Sequence, residues 1–258
     1  MKQVLLMLTA LLIVFTLMPP AFAQSKNDKG KKTESKANDK KDMTDKIKMY
    51  RQEAAKGNAN AQYNLAVCYY NGEGIKKDLA EAAKWARKSA DQGYALGQML
   101  LGTCYAKGQG LPKNPLEAFK WFRKAAEQEN AQAQRLLAMC YYEGTGTKKD
   151  FAEAVKWWTK AAEQGDVTAQ FYLGYAYEDG LIGGVKKDSA ESIKWYTKAA
   201  EQGDMTAQYN LALCYEYGKG VEKNKSEAIN GIGNPRNKAF PMQRKPSKNL
   251  TNNVFFSF

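Results

Sequence analysis

The sequence predicts an all-α chain, an α/α solenoid of about five 36-residue helix-turn-helix repeats with the last one incomplete. Three observations carry this. Gln62, Gln98, Gln134 and Gln170 recur every 36 residues, and Gln208 follows after 38. Leu65, Leu101, Leu137, Leu173 and Leu211 keep that register, as do Tyr69, Tyr105, Tyr141, Tyr177 and Tyr215, and Gly72, Gly108, Gly144, Gly180 and Gly218. A tryptophan column, Trp85, Trp121, Trp157 and Trp195, marks the second half of four units.

Residues 1–23 read as a signal peptide rather than as fold. Lys2 is a short basic start, Val4 to Met18 is an apolar run, Pro19-Pro20 ends it, and Ala21-Phe22-Ala23 offers small residues at the two positions a signal peptidase reads. Cleavage before Gln24 leaves no stable membrane span and a periplasmic or secreted product. Residues 24–43 form a lysine-rich leader with the composition of a disordered segment; continued to Lys46, it holds eight lysines and five acids. The solenoid is assigned to 44–230, opening with a lone second-type helix over 44–56, and 231–258 is an irregular basic tail. The tail carries five basic residues and no acid. The net charge of +12 over 258 residues therefore sits mostly in the flanks, and the repeats hold 25 basic and 22 acidic residues over 47–230. A nucleic-acid footprint concentrates basic charge on the folded face, so nucleic acid is excluded as a partner.

Within the first unit, Ala61, Leu65, Cys68, Tyr69 and Gly72 fall on one face of a helix. Gly72-Glu73-Gly74 stops it, because glycine tolerates the left-handed cap position. Asp78 then caps a second helix with Glu81 three residues on, a capping-box spacing repeated at Asp150/Glu153 and Asp188/Glu191. Asn114/Glu117 and Asn224/Glu227 follow the same rule. The second helix turns Ala82, Trp85, Ser89 and Ala90 inward and ends at Gly93. Leu65, Tyr69, Gly72, Trp85, Trp121, Trp157 and Trp195 are accordingly read as structural.

The unit resembles the Sel1-like repeat, a relative of the tetratricopeptide repeat. The third unit shows it most fully, in Leu137, Ala138, Tyr141, Gly144, Gly146, Lys149, Asp150, Glu153, Ala154, Lys156, Trp157, Lys160, Ala161 and Ala162. The resemblance covers about 59–230 and implies a superhelix used for protein–protein contacts. It also implies a second candidate activity, since penicillin binding or hydrolysis has been proposed for secreted, cysteine-rich bacterial members. Those relatives pair two cysteines inside a repeat, whereas this chain has one per unit at Cys68, Cys104, Cys140 and Cys214. Stacked helices lie about 10 Å apart and a disulfide needs Cα atoms within roughly 7 Å, so four free, buried thiols are expected. The loop Gly180-Leu181-Ile182-Gly183-Gly184-Val185 carries two extra residues. In the fifth unit Asn230-Gly231 replaces Lys-Trp. Either Phe255, Phe256 and Phe258 of the tail dock on the open end, or the array is interrupted by truncation or frameshift.

With the packing columns set aside, the variable first-helix positions that step by i, i+4 and i+7 are expected to line a concave groove. From these, Tyr63, Met99, Arg135, Met139, Tyr142, Phe171, Tyr175 and Tyr209 are the candidate binding residues; aromatic, methionine and arginine side chains are enriched in interface cores. The absence of histidine removes histidine bases and the common zinc sites. Ser89 and Ser192 lack a lysine at the spacing a serine nucleophile uses, and the Gly-x-Gly pairs lack a phosphate-loop pattern. No catalytic residue, metal site or cofactor is therefore assigned. The reading is an exported protein–protein interaction or assembly scaffold. Its partner is another envelope or secreted protein, with cell-wall polymer as a second candidate. A peptidoglycan- or β-lactam-acting enzyme and a purely structural spacer are the alternatives.

Overall fold

The computed structural model describes residues 32–180 and 185–228, with side chains from residue 43 onward. The signal peptide expected at 1–23, the leader up to 31, the tail at 231–258 and residues 181–184 of the enlarged loop lie outside the described residues. Within them the chain forms ten helices: α1 (Lys32–Ala55), α2 (Ala59–Asn71), α3 (Leu79–Asp91), α4 (Ala95–Lys107), α5 (Pro115–Ala126), α6 (Ala131–Glu143), α7 (Phe151–Glu163), α8 (Val167–Asp179), α9 (Ser189–Glu201) and α10 (Met205–Tyr217). A further helical turn occupies 225–228. From α2 to α10 each helix packs on its successor, and α2 also touches α4. This nearest-neighbour stacking is that of an α/α solenoid. Among the described residues the fifth repeat comprises α10 and the turn that starts after it.

Helix α1 is described from Lys32, ahead of the helix expected at 44–56; the span to Ala55 contains no glycine or proline to interrupt it. Ile47 and Ala54 are buried toward the first repeat. In register with Ala82, Ala86 and Ser89, the fully buried residues of α3, α1 carries Lys46, Tyr50 and Glu53. Of these, Lys46 is exposed, Glu53 is half-buried, and Tyr50 is half-buried against Ala54, Ala61 and Leu65.

The chain reverses by the same chemistry in every unit. The first helices end at a glycine in the left-handed region, with φ of 78° at Gly72 and 75° at Gly144. The second glycine of the loop, at Gly74, Gly110, Gly146 and Gly220, serves a different need. A Cβ on Gly146 would lie 2.1 Å from the Pro115 carbonyl oxygen, so this glycine lets the loop touch the second helix of the preceding repeat. The second helices are capped as expected, with Asp78 accepting from the Ala80 and Glu81 amides. The reciprocal half of the capping box is not made. The Asp78 amide donates instead to the Tyr69 carbonyl at 3.0 Å, and the Asn114, Asp150, Asp188 and Asn224 amides donate likewise to Tyr105, Tyr141, Tyr177 and Tyr215. Glu81, released from capping, pairs with Lys84 at 2.9 Å.

The repeats are joined through the glutamine column. Gln62, Gln98, Gln134 and Gln170 are buried. Each donates its Nε2 to a carbonyl in the last turn of the preceding second helix, at Ala54, Ala90, Ala126 and Ala162. Each of these carbonyls also accepts from the backbone amide three residues on, at Gly57, Gly93, Glu129 and Gly165, so the glutamine is its second donor. Each Oε1 then accepts from the glutamine ending the second helix of its own repeat: Gln92, Gln128, Gln164 and Gln202, at 2.7–2.8 Å. One side chain thereby ties three helices.

Around this ladder Leu65, Leu101, Leu137 and Leu173 are fully buried. Trp121, Trp157 and Trp195 are buried beside them, whereas Trp85 is half-buried. A lysine three residues on covers each indole, at 4.2 Å for Lys88 over Trp85 and 4.5 Å for Lys160 over Trp157. Trp121→Ala should cost roughly 3–5 kcal/mol in a thermal or denaturant melt. Gly146→Ala should cost more than Gly165→Ala, which pays only the roughly 1–3 kcal/mol of left-handed backbone strain, because nothing lies within 4 Å of a Cβ at Gly165. Equal costs for the two glycines would contradict the inter-repeat contact.

Candidate functional site

The first helices bring their variable side chains onto one wall, but the neighbouring repeats cover part of it. Met99 and Met139 are 7% and 6% exposed. The structure therefore corrects their place from groove to core, although Tyr63, Arg135, Phe171 and Tyr209 in the Met99 column and Tyr175 in the Met139 column stay half-buried. Tyr63 is half-buried and packs edge-on against Tyr94 of the next repeat, with centroids 5.8 Å apart. Asn60 Nδ2 donates to the Tyr94 hydroxyl at 2.7 Å. Arg135 donates from Nε to Asp166 Oδ2 at 3.0 Å, and the two side chains are 14% and 10% exposed. Asp166 also accepts from the Ala169 amide as the N-cap of α8. The Arg135 Nε–H is thus committed to clamping α6 against α8.

Phe171 packs on Tyr172 and Tyr196, at 5.3 and 5.9 Å. Tyr142 meets Phe151, Trp158 and Tyr172 at 5.6, 5.4 and 6.3 Å. Trp158 and Tyr172 are stacked 4.8 Å apart with planes 5° from parallel. Tyr172 was not among the candidates; it lies in the column of Asn64, where only the change of residue type from repeat to repeat signals it. Tyr142, Tyr172, Tyr175 and Tyr209 remain half-buried, so these rings keep an open edge on α6, α8 and α10. Burial, then the charges of Tyr142, Asp179 and Glu178, pushes the Tyr175 phenol up to about 12. Tyr175 is therefore a neutral hydrogen-bonding group at any physiological pH.

Glu143 ends α6 beside these rings. Its Oε2 accepts from the Thr145 hydroxyl at 3.3 Å, and its buried Oε1 has no partner. Burial raises its pKa against the lowering by Thr145 and Lys149. A carboxylate in the last turn also opposes the helix dipole. Its placement is unfavourable for the helix and puts an acceptor at the edge of the aromatic wall.

The residues that sequence alone considers for chemistry are engaged in the fold. Ser89 Oγ donates to the Ala59 carbonyl at 2.7 Å, and Ser192 Oγ to Gly174 at 2.8 Å. Cys68, Cys104, Cys140 and Cys214 are free and buried. Burial pushes the Cys140 thiol up to about 12 and those of Cys104 and Cys214 up to about 11, which lowers thiolate reactivity. Among the described residues no three His, Cys, Asp or Glu side chains gather in a set that could hold a metal ion, and no helix is long and apolar enough to cross a membrane.

The Sel1 repeat profile matches residues 59–94, 95–130, 131–166, 167–204 and 206–230. A protective antigen present in uropathogenic Escherichia coli strains, displaying an SLR fold, is 39% identical over 72% of this chain and 40% of its own, with a TM-score of 0.69. The chain thus spans two fifths of that protein. A Sel1 repeat protein from Oxalobacter formigenes is 39% identical over 70% of this chain and 73% of its own, with a TM-score of 0.65. No curated protein matches the sequence.

Glu143 gives a pH test of this geometry. Its folded pKa is raised above the ordinary 4.5, so its ionised form penalises the folded state above the folded pKa, and the penalty vanishes as pH falls below the unfolded value. Glu143→Gln should therefore raise stability at pH 7 and leave it unchanged below about pH 4. A gain that persists at low pH would show that charge is not its cause.

Proposed function

Because the chain belongs to the Sel1 repeat family, we propose that it is an exported protein–protein interaction scaffold whose first-helix wall holds a segment of another envelope or secreted protein. The observation that carries this is the half-buried tyrosine run of Tyr142, Tyr172, Tyr175 and Tyr209 on α6, α8 and α10. Such rings offer large apolar area with a polar tip at low entropic cost. The packed neighbours Phe151, Trp158 and Phe171 hold Tyr142 and Tyr172 in place before a partner arrives, which reduces the ordering cost of binding. Tyr63 and Arg135, already engaged by the next repeat, position the wall in this reading. Export rests on the pattern of Lys2, the apolar run to Met18 and Ala21-Phe22-Ala23. The E. coli relative's being a protective antigen supports an accessible location.

Affinity capture from envelope extract, followed by calorimetry with the captured protein, tests the assignment. Tyr175→Ala should weaken binding by about 1–3 kcal/mol with helicity retained. Lys88→Ala, on the exposed side of α3, should change it little. Equal affinities for the two variants would move the contact off the first-helix wall.

A further inference from the structure

The last turns of the helices differ in charge along the array. Every second helix from α3 to α9 carries a base there, at Lys88, Lys124, Lys160 and Lys198. Among the first helices α4 has Lys107. Such bases suit the negative end of a helix. Helices α6, α8 and α10 have none, and their last turns hold Glu143, Glu178 with Asp179, and Glu216. Carboxylates at that end oppose the helix dipole, so helix stability does not account for them. They fall on the three helices that carry the tyrosine run.

The first two repeats show the other arrangement. Lys107 Nζ lies 5.9 Å from the centre of the Tyr70 ring and donates to the Tyr70 hydroxyl at 3.3 Å. Two repeats on, Tyr142 takes the place of Tyr70 and Asp179 takes the place of Lys107. The cation that the chain supplies to one tyrosine is thus replaced at the other by a carboxylate. Burial, then the charges of Glu143 and Asp179, raises the Tyr142 phenol. Burial also pushes Tyr172 up to about 12, with Tyr142, Glu143 and Asp204 adding to it and Arg135 opposing. Arg135 is committed to Asp166. Glu178 is occupied by the Tyr196 hydroxyl at 2.9 Å and by Lys219 at 3.4 Å. Lys149 is exposed and acts on Glu143 without a salt bridge joining them. Glu143 and Asp179 therefore dominate the potential beside Tyr142 and Tyr172, and it is negative. Helices α6 and α8 have described helices on both sides, so this stretch depends on neither end of the array.

We propose that the stretch of wall formed by Tyr142, Glu143, Tyr172 and Asp179 recognises a lysine or arginine side chain of the bound segment. This rests on the tyrosine wall being a protein-binding surface and names the chemistry of what it holds. The cation donates to the Tyr142 hydroxyl, as Lys107 does to Tyr70, and is paired with Glu143 and Asp179. Its aliphatic stem lies along the neighbouring rings. Over α4, Lys107 repels a second cation, so the basic residue is read at α6 and α8 and the segment takes one direction along the wall.

The probe is a capped peptide of glycine and serine with spaced lysines, titrated into the isotope-labelled full chain at low ionic strength. It should bind saturably, shift the amides of Tyr142, Glu143 and Asp179, and weaken as salt rises. The same peptide with norleucine for lysine should leave those amides unmoved. So should one with glutamate for lysine, although the chain's net charge of +12 favours an acidic peptide. Glu143→Gln combined with Asp179→Asn should weaken the lysine peptide about fivefold with helicity unchanged, since both carboxylates oppose their helix dipoles. Absence of saturable binding, shifts confined to other parts of the chain, or equal binding of the lysine and norleucine peptides would each overturn the proposal. Calorimetry with the captured envelope protein separates this failure from that of the wall itself. A partner weakened by Tyr175→Ala but indifferent to the double charge variant overturns the cation alone, whereas one indifferent to both removes the wall as well.

Discussion

The structure depends on a buried amide that faces two ways. A solenoid of short helices must satisfy the carbonyls at every helix end, and water does not reach those inside the stack. Gln62, Gln98, Gln134 and Gln170 each add a side-chain donor to a carbonyl that ends the helix before and accept from the glutamine that ends their own second helix. Leaving such a group unpaired costs about 1–3 kcal/mol, so register between repeats is fixed by polar geometry as well as by leucine and alanine packing. A one-residue slip of any helix would leave both ends of the bridge unmatched.

This constraint governs what is left for binding. Each first helix spends one face on its own second helix, and the repeats on either side cover more. Met99, Met139 and the Arg135–Asp166 pair are used in that way. The residual surface is narrower than the full set of variable positions and richer in tyrosine, running from Tyr142 to Tyr209 with Glu143 at its edge. Among the described residues the ladder runs out at α10, where Leu211 is half-buried and Gln208 Oε1 has no hydrogen-bond partner.

The repeat architecture was legible in the sequence because it is written in identical columns. The glycine stops, the Asp and Asn caps and the leucine column all fall at the positions the periodicity assigns. The function of the glutamine column was not legible, since spacing marks the register of a polar residue without saying which neighbours surround it. Nor does the capping-box spacing reveal that the Tyr69 carbonyl claims the Asp78 amide and leaves Glu81 to pair with Lys84. The candidate groove was legible only in part. Helical spacing selects a face, but the depth at which the next repeat overlaps that face decides whether Met139 is core and Tyr175 is wall. The pairing of Trp158 with Tyr172 depends on that overlap too.

A double-mutant cycle on Gln134 and Gln164 tests the central role of the glutamine bridge most directly. Melts of Gln134→Ala, Gln164→Ala and the double variant give their coupling energy. The bridge predicts about 0.5–1.5 kcal/mol of favourable coupling. Strictly additive losses would show that the two side chains do not act together and that apolar packing alone sets the stack.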